Sequence, residues 1–295
     1  MTYVKKDIAI QTINGHGVKI NPYDIIVSED LDYIYNLYKD AEPGLLVESY
    51  FSRPDKKPVS FHPWQCSHNL LNLCSHAEQN NSLEEDLPLL NSLVRQLESH
   101  MIEVDSAIYF GYPYRLELYG RTLEPPWFSS IAQGYLLAAW TKFYKITNDS
   151  KYLDMARKTY HSFFQIRNEV GQKKSWMSFV DDECYLWFEE YPTNHDPQVR
   201  ALNGHIFGIM GLYSFYCLDP QAETLKLMQG GMTTIQRYFS EYRRPGQVNH
   251  YCLISGSEPD YMPERSVTQQ KWLFDITKDQ VFKQQFLAFQ ADMLY

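Results

Sequence analysis

Residues 187–193 read Trp187-Phe188-Glu189-Glu190-Tyr191-Pro192-Thr193 and lead into a predicted helix that carries Leu202-Asn203-Gly204. Proline fixes its own φ and disfavours helix at the preceding residue, so the pattern predicts an extended Tyr191 at a corner of the chain. The scaffold behind such a corner often positions residues for chemistry. Two adjacent carboxylates and a tyrosine therefore make this stretch the first candidate site, against the simpler interpretation of an ordinary strand-to-helix turn.

From residue 61 onward the chain predicts pairs of helices. Apolar side chains recur at helical spacing in four pairs of segments, at 63–79 with 83–104, 129–146 with 150–168, 197–217 with 221–243, and 264–275 with 278–293. Ser82 and Glu85 have the spacing of a capping box before the second segment. Strand-like or extended segments at 105–126 and 175–188 interrupt the helices.

This order of elements predicts a mainly α fold. We expect an incomplete α/α toroid of about four helical hairpins with short β insertions, in which helices face each other across a shared core. In such a ring the inner helices surround a cleft and the loops at one end form the site. A helical-repeat solenoid is the alternative, but the chain has no repeat of fixed period.

The first sixty residues have a different pattern. Residues 1–25 alternate apolar and polar side chains around Asn14-Gly15-His16-Gly17, which predicts a β-hairpin. Residues 27–40 predict a short helix capped by Ser28, and 41–60 are irregular. We therefore divide the chain into an N-terminal segment, 1–60, and a toroid domain, 61–295.

Composition and charge exclude some classes of function. The net charge of −9 argues against a nucleic-acid binder. The chain has no run of eighteen apolar residues and no apolar signal core behind Lys5-Lys6, and its five cysteines form no paired framework. These features predict a cytoplasmic protein without a membrane span. The 23 Tyr, 16 Phe and 6 Trp suit either a core or a carbohydrate-stacking cleft.

Two clusters of polar residues predict no metal site. Cys66, His68, Cys74 and His76 look like a ligand set, but residues eight apart on one helix lie about 12 Å apart along its axis, too far for one tetrahedral ion. Asp181-Asp182-Glu183 is interpreted as a solvated turn, with a cation site that closes the cleft as the alternative.

Three separated blocks of residues resemble one family. The first is Phe61-His62-Pro63-Trp64-Gln65. The second runs from Leu123 to Ser130 and continues with Ala132-Gln133-Gly134, and the third is 187–193 with Leu202-Asn203-Gly204. In this order they resemble the C-terminal domain of D-glucuronyl C5-epimerases, over roughly residues 55–290.

The resemblance implies a fold and an activity. Members of this family have an α/α-toroid domain that is normally preceded by β-structure, and they are often dimeric. The resemblance therefore implies a homodimer as an expectation to test. They invert C5 of a hexuronate within a polysaccharide, D-glucuronate to L-iduronate, without a redox cofactor. The expectation is therefore an isomerase similar to heparosan-N-sulfate-glucuronate 5-epimerases, whose partner is a saccharide that contains uronic acid.

The resemblance also implies catalytic residues. Glu190 and Tyr191 match the family's Glu-Glu-Tyr-Pro motif position by position. Tyr251 matches a Tyr-x-Leu-Arg motif in part, and Tyr261 matches an Asp-Tyr pair. Removing the C5 proton produces an enediolate, for which paired phenols with a neighbouring carboxylate can act as proton acceptor and donor. This chain departs from the family at Ile254, where the family carries an arginine that would bind the substrate carboxylate.

The candidate substrate-binding residues follow from the same blocks and from their neighbours. Arg200, Arg244 and Arg265 are the candidates to replace the missing arginine. Trp127 is interpreted either as a core aromatic or as a sugar platform. Gly204 within a helix is costly, so close packing or a ligand against the backbone would explain it. The full set is Trp127, Gln133, Glu189, Arg200, Asn203, His205 and Arg265.

Two other functions remain open at this point. A glycoside hydrolase would need two carboxylates flanking a glycosidic bond, such as Glu190 with Asp260, Glu264 or Asp181, and a uronate lyase would begin with the same proton removal. A saccharide-binding homologue without catalysis is the third alternative, since fold alone does not determine function.

Overall fold

The N-terminal hairpin forms as predicted. The computed structural model describes residues 7–36, 61–167 and 176–293. Strands β1 (Ala9–Ile13) and β2 (His16–Ile20) pair antiparallel across a turn at Asn14 and Gly15, both of which have positive φ. The hairpin is bound to the rest of the chain because the Lys19 amide donates to the carbonyl of Cys184 at 2.8 Å.

The helix predicted over 27–40 is broken. A 3-10 turn at Glu29–Leu31, capped by Ser28, is followed by helix α1 (Tyr33–Asn36), and residues 37–40 lie outside the described part. The break falls at Asp32, whose backbone is extended and whose carboxylate accepts a 2.7 Å hydrogen bond from Ser214. A buried tertiary contact thus overrides the local helical pattern. The division at residue 60 stays a prediction.

The four predicted helix pairs are confirmed. They are α2 (Pro63–Asn80) with α3 (Leu83–Ser99), α4 (Ser130–Thr147) with α5 (Ser150–His161), α6 (Leu202–Leu218) with α7 (Ala222–Tyr242), and α8 (Glu264–Thr277) with α9 (Gln280–Asp292). Helices α2, α4, α6 and α8 also contact one another in that order, so they form the inner row of an arc and their partners form the outer row.

Three helix boundaries and one cap differ from the predictions. Helix α5 ends at His161 rather than at 168, because a 3-10 turn at Ser162–Phe164 and a short strand follow it. Helix α3 ends at Ser99 rather than at 104, because the following residues form a strand. Helix α6 begins at Leu202 rather than at 197, since Arg200 has a left-handed φ of 54° and Ala201 pairs with Cys252. The predicted capping box is absent: the Ser82 hydroxyl donates to the Asp86 carboxylate at 2.7 Å and caps no backbone amide.

Small sheets fill the intervals between helix pairs, as predicted. Strands β3 (Met101–Val104) and β4 (Ala107–Phe110) form one hairpin, and β5 (Leu116–Leu118) and β6 (Arg121–Leu123) form another. Strands β7 (Ile166–Arg167), β8 (Ser178–Val180) and β9 (Leu186–Phe188) form a three-stranded sheet, with β7 parallel and β9 antiparallel to β8. Strand β9 leads directly into the Glu189-Glu190-Tyr191 corner.

Inner helices α4 and α6 approach each other through glycines. A Cβ on Gly211 would lie 2.4 Å from the Cα of Gly134, and a Cβ on Gly134 would lie 2.4 Å from the carbonyl oxygen of Phe207. Only glycines allow this distance between the two backbones. Among the described helices, none has the length and apolar character needed to cross a bilayer.

Candidate active site

The corner after β9 is held by backbone hydrogen bonds on both sides. The Glu189 amide donates to Met177 at 2.6 Å, and its carbonyl accepts from the Ser130 amide at 2.9 Å. The corner is thereby fixed between the edge of the sheet and the first turn of α4. Glu189 and Glu190 are both buried, while Tyr191 is half-buried.

Glycine in α6 makes room for the buried Glu190. A Cβ on Gly204 would lie 2.4 Å from Glu190 Cβ and 2.6 Å from its Oε2. The glycine of Leu202-Asn203-Gly204 is therefore explained by close packing of a side chain, one of the two explanations that the sequence leaves open.

The structure brings all four predicted catalytic residues together. The Tyr251 hydroxyl donates to the Tyr191 hydroxyl at 3.2 Å, and both hydroxyls lie close enough to Glu190 to lower the pKa of its carboxyl. The Tyr261 ring packs edge-on against Tyr251, with 6.0 Å between ring centroids. Glu190 Oε2 and the Tyr261 hydroxyl are buried, and neither atom meets the distance and angle of a hydrogen bond to any residue that the structure describes.

Tyr251 reaches this cluster through the start of α6. Its carbonyl accepts from the Leu202 amide at 3.0 Å, and its own amide donates to Ser257 at 2.7 Å. One free amide of the first turn of α6 is satisfied in this way, so the helix start and the tyrosine are positioned together.

Burial controls the protonation of the cluster. It raises the pKa of Glu190 to about 7, against the lowering effect of the hydroxyls of Tyr251 and Tyr191. Burial also raises the pKa of Tyr191 and of Tyr251 well above the ordinary value, with the Glu190 charge adding to the effect. Near neutral pH the cluster therefore combines neutral phenols with a carboxyl close to half-ionised, which suits proton transfer in either direction.

This protonation predicts a pH dependence. Because a base must be ionised, kcat/KM is expected to rise with pH through about 7 in a profile from roughly pH 5.5 to 8.5. Stability should change in the opposite direction. A buried carboxyl with a raised pKa stabilises the fold below its ordinary pKa of 4.5, and this contribution is lost as pH rises through about 7. The Tm of Glu190→Gln should accordingly fall less with rising pH than that of the unmodified protein. An identical slope would contradict the assignment.

Tyr112 is a member of the site that the sequence did not reveal. It is buried, stacks on Trp127 with 3.9 Å between ring centroids, and has its pKa raised well above the ordinary value by burial, with smaller contributions from Tyr114 and from Glu190. The available signal was the Tyr112-Pro113 pair, which repeats the Tyr-Pro joint of the candidate site.

Trp127 is a core aromatic. Its side chain is covered by Tyr112 and Tyr114, and its Nε1 donates to the Tyr114 carbonyl at 2.8 Å. Its ring lies 6.1 Å from that of Tyr191, centroid to centroid. This burial favours the core interpretation of Trp127 over the sugar platform, and its ring contacts that of Tyr191.

The prediction that Gln133 and His205 bind substrate is also corrected, since both residues have 0% exposure and their polar atoms are bonded within the protein. The Gln133 amide group bonds to Ile108, Phe110 and Ser162. His205 Nδ1 accepts from the Phe188 amide at 2.9 Å, and Nε2 lies 3.0 Å from the Gly231 carbonyl oxygen. Burial lowers the pKa of His205 to about 4, which keeps it neutral. These side chains hold β4 and β9 in place.

Glu189 and Arg200 bind each other rather than the cluster. The Glu189 carboxylate accepts from the Arg200 amide at 2.9 and 3.2 Å, and burial raises the pKa of Glu189 to about 8. The Arg200 guanidinium lies 4.9 Å from the Trp187 ring centroid and 3.9 Å from Asp181. Asp181 also accepts from Trp187 and Tyr238, so the predicted solvated turn has one buried carboxylate.

The remaining two substrate-binding candidates come from α6 and α8. Asn203 is buried and its Oδ1 accepts from Gln269 at 3.0 Å. Arg265 is exposed, with its Cζ 4.8 Å from the Tyr261 ring centroid. Of the predicted set, Arg265 therefore lies beside the tyrosine cluster with its charge accessible. Among the described residues, no group of three His, Cys, Asp or Glu side chains is placed to hold a metal ion.

Paired helices around a buried carboxyl and several tyrosine hydroxyls define a protein of the α/α-toroid class. The structure is similar to that of cellobiose 2-epimerase from Bacillus thermoamylovorans B4167, with a TM-score of 0.53 and 12% identity over 88% of this chain and 68% of that chain. It is also similar to that of a D-mannose isomerase, with a TM-score of 0.53 and 17% identity over 78% and 58%. These likenesses show the fold.

The family is defined by sequence. Residues 104–291 match the model of the D-glucuronyl C5-epimerase C-terminus. The D-glucuronyl C5-epimerase of Caenorhabditis elegans is 29% identical over 180 residues, which cover 54% of this chain and 27% of that protein. The chain therefore belongs to the D-glucuronyl C5-epimerase C-terminal family, and it spans a minor part of the length of this relative.

Proposed function

We propose that the protein inverts C5 of a hexuronic acid residue in a saccharide, of the D-glucuronate to L-iduronate type. The observation that carries this proposal is the convergence of Glu190, Tyr191, Tyr251 and Tyr261, drawn from three separate segments, in a chain of this family. The partner is accordingly a saccharide that contains uronic acid. A homodimer and a cytoplasmic location stay predictions.

The pairing of hydroxyls supports a mechanism in which one group of side chains removes the C5 proton and another returns a proton to the opposite face of the sugar. Tyr191 and Tyr251 share a hydrogen bond and both interact with Glu190, so they belong to one side of the reaction. Tyr191 takes the C5 proton as Glu190 takes the Tyr191 proton, and the C–H electrons pass into the substrate carboxylate to form an enediolate. The Tyr261 hydroxyl then donates a proton to C5 from the opposite face, after which solvent reprotonates the Tyr261 phenolate and takes the proton from Glu190.

Geometry and protonation favour this order of events. A carboxyl with a pKa near 7 can accept a proton from a phenol in the transition state and release it to solvent afterwards. Tyr261 keeps its proton because burial raises its pKa far above neutrality. One proton leaves C5 and one returns, so the reaction involves no net oxidation or reduction.

The test is isotope exchange at C5. The purified chain is incubated in D₂O with oligosaccharides that contain glucuronate, and C5 deuterium is measured by NMR while C4–C5 unsaturation is followed by ultraviolet absorbance. Deuterium at C5 without unsaturation is the expected result. Unsaturation would instead identify a lyase, and the absence of both signals with glycan binding intact would favour the binding or hydrolase alternatives.

A further inference from the structure

The proposed reaction needs a cation that this chain lacks at the usual place. Negative charge develops on the substrate carboxylate as the enediolate forms, and it must be met by donors or positive charge. Ile254 stands where the family carries arginine, and it packs against the cluster of Val199, Ala201, Tyr251 and Cys252. Tyr191 and Tyr261 contact the same cluster. The position that lacks the arginine therefore lies directly beside the candidate catalytic tyrosines.

Two of the three candidate arginines already bind other groups. The Arg200 guanidinium lies among the rings of Phe179, Trp187 and Tyr238 and beside Asp181. Arg244 pairs with Glu258 at 2.7 Å. Neither has a guanidinium available to a ligand at the tyrosine cluster.

Arg265 differs from both in position and in partners. It lies in the first turn of α8, four residues after Tyr261, and its guanidinium stacks on the Tyr261 ring at 4.8 Å. The side chain is exposed, and it forms no ion pair with any described residue. Its charge also lowers the pKa values of Tyr261 and of Tyr33 relative to the rise that burial causes, so it lies near both side chains.

We propose that Arg265 binds the carboxylate of the uronate in this site and replaces the arginine that the family carries at the position of Ile254. This inference rests on the proposed function. A guanidinium can donate two parallel N–H groups to a carboxylate, which fixes the plane of the group as well as its charge. From its place on the Tyr261 ring, Arg265 would hold the carboxylate next to the hydroxyl that returns the proton to C5.

The experiment compares two ligands on three proteins. The ligands are a glucuronate oligosaccharide and the same oligosaccharide with its carboxyl groups reduced to alcohols, and their Kd values are measured by calorimetry. The proteins are the unmodified chain, Arg265→Met, and the matched control Arg244→Met. A hydrogen-bonded charge contributes about 1.5–3 kcal/mol, so Arg265→Met should weaken uronate binding by roughly 10- to 150-fold.

The selectivity between the ligands distinguishes a contact from a structural role. Arg265→Met should leave the Kd of the reduced oligosaccharide unchanged, so that the preference for the uronate disappears, whereas Arg244→Met should preserve it. Because Arg265 is exposed, the Tm of the Arg265→Met protein should differ little from that of the unmodified chain. A preference that survives in Arg265→Met, or an unmodified chain that does not prefer the uronate, overturns the inference.

A rescue variant adds an independent measurement. Adding Ile254→Arg to Arg265→Met should restore the preference for the uronate, since both positions adjoin the same tyrosines. Failure of the double variant to regain any preference, with an unchanged Tm, would count against a shared role. If the preference depends on Arg265 but no deuterium enters C5, the carboxylate site stands and the epimerase proposal fails.

Discussion

Replacing Tyr191 by Phe is expected to reduce C5 deuterium exchange by about 10²- to 10⁴-fold, the usual contribution of a positioned acid–base group. The variant removes the hydroxyl that accepts from Tyr251 and lies beside the Glu190 carboxyl, and it keeps the ring that packs near Trp127. Binding of a uronate oligosaccharide should remain within a few-fold, since the lost group acts on the proton rather than on the sugar ring. Exchange rates by NMR and Kd by calorimetry, both on the full chain, measure the two effects.

Tyr160→Phe is the matched control for this variant. Tyr160 is buried and packs on Phe164 and Phe215 in the helical core. Loss of its hydroxyl should leave exchange unchanged. Equal exchange in Tyr191→Phe and in the control would remove Tyr191 from the mechanism. A non-catalytic binding protein would show no exchange in any of the three proteins.

Replacing Gly211 by Ala is expected to lower the free energy of unfolding more than any other variant proposed for this protein. The added Cβ would lie 2.4 Å from both the Cα and the carbonyl oxygen of Gly134, so backbone meets backbone and no flexible side chain can move aside. Overpacking of a core costs about 1–3 kcal/mol and occasionally more, and we place this variant at about 3 kcal/mol or above. The free energy of unfolding in urea is the measurement.

Gly230→Ala provides the comparison on a different helix. Its Cβ would meet side-chain carbons of Val18 and Leu186, at 3.1 and 3.3 Å, and these can shift by a few tenths of an ångström. This variant should therefore lose much less stability than Gly211→Ala. A loss in Gly211→Ala as small as that in Gly230→Ala would mean that α4 and α6 can separate at little cost, contrary to the close packing of Gly211 against Gly134.

Local pattern was sufficient for elements whose neighbours agree with it. Residues 150–161 of the predicted segment 150–168 form α5, which buries Ala156 and Tyr160 on one face. The hairpin at Asn14-Gly15 forms because these residues tolerate the positive φ of the turn. The corner at Glu190-Tyr191 was likewise predictable, since Pro192 restricts the backbone before it.

Local pattern failed where a distant residue decides the backbone. Asp32 breaks its helix because Ser214 binds its carboxylate, and these residues are 182 positions apart. The buried Asp181 was predicted to be solvated because its partners, Trp187 and Tyr238, are brought to it by β9 and α7.

By itself the sequence determined the class of fold, the family and the four residues proposed for catalysis, because periodicity, turn chemistry and short motifs are properties of neighbouring residues. The tertiary structure decided which other polar residues support that cluster and which can reach a ligand. Gln133 and His205 are absorbed by the core, Tyr112 joins the site, and Arg265 remains exposed beside Tyr261. Burial and partners depend on residues far apart in the chain, so only the packed helices could assign them.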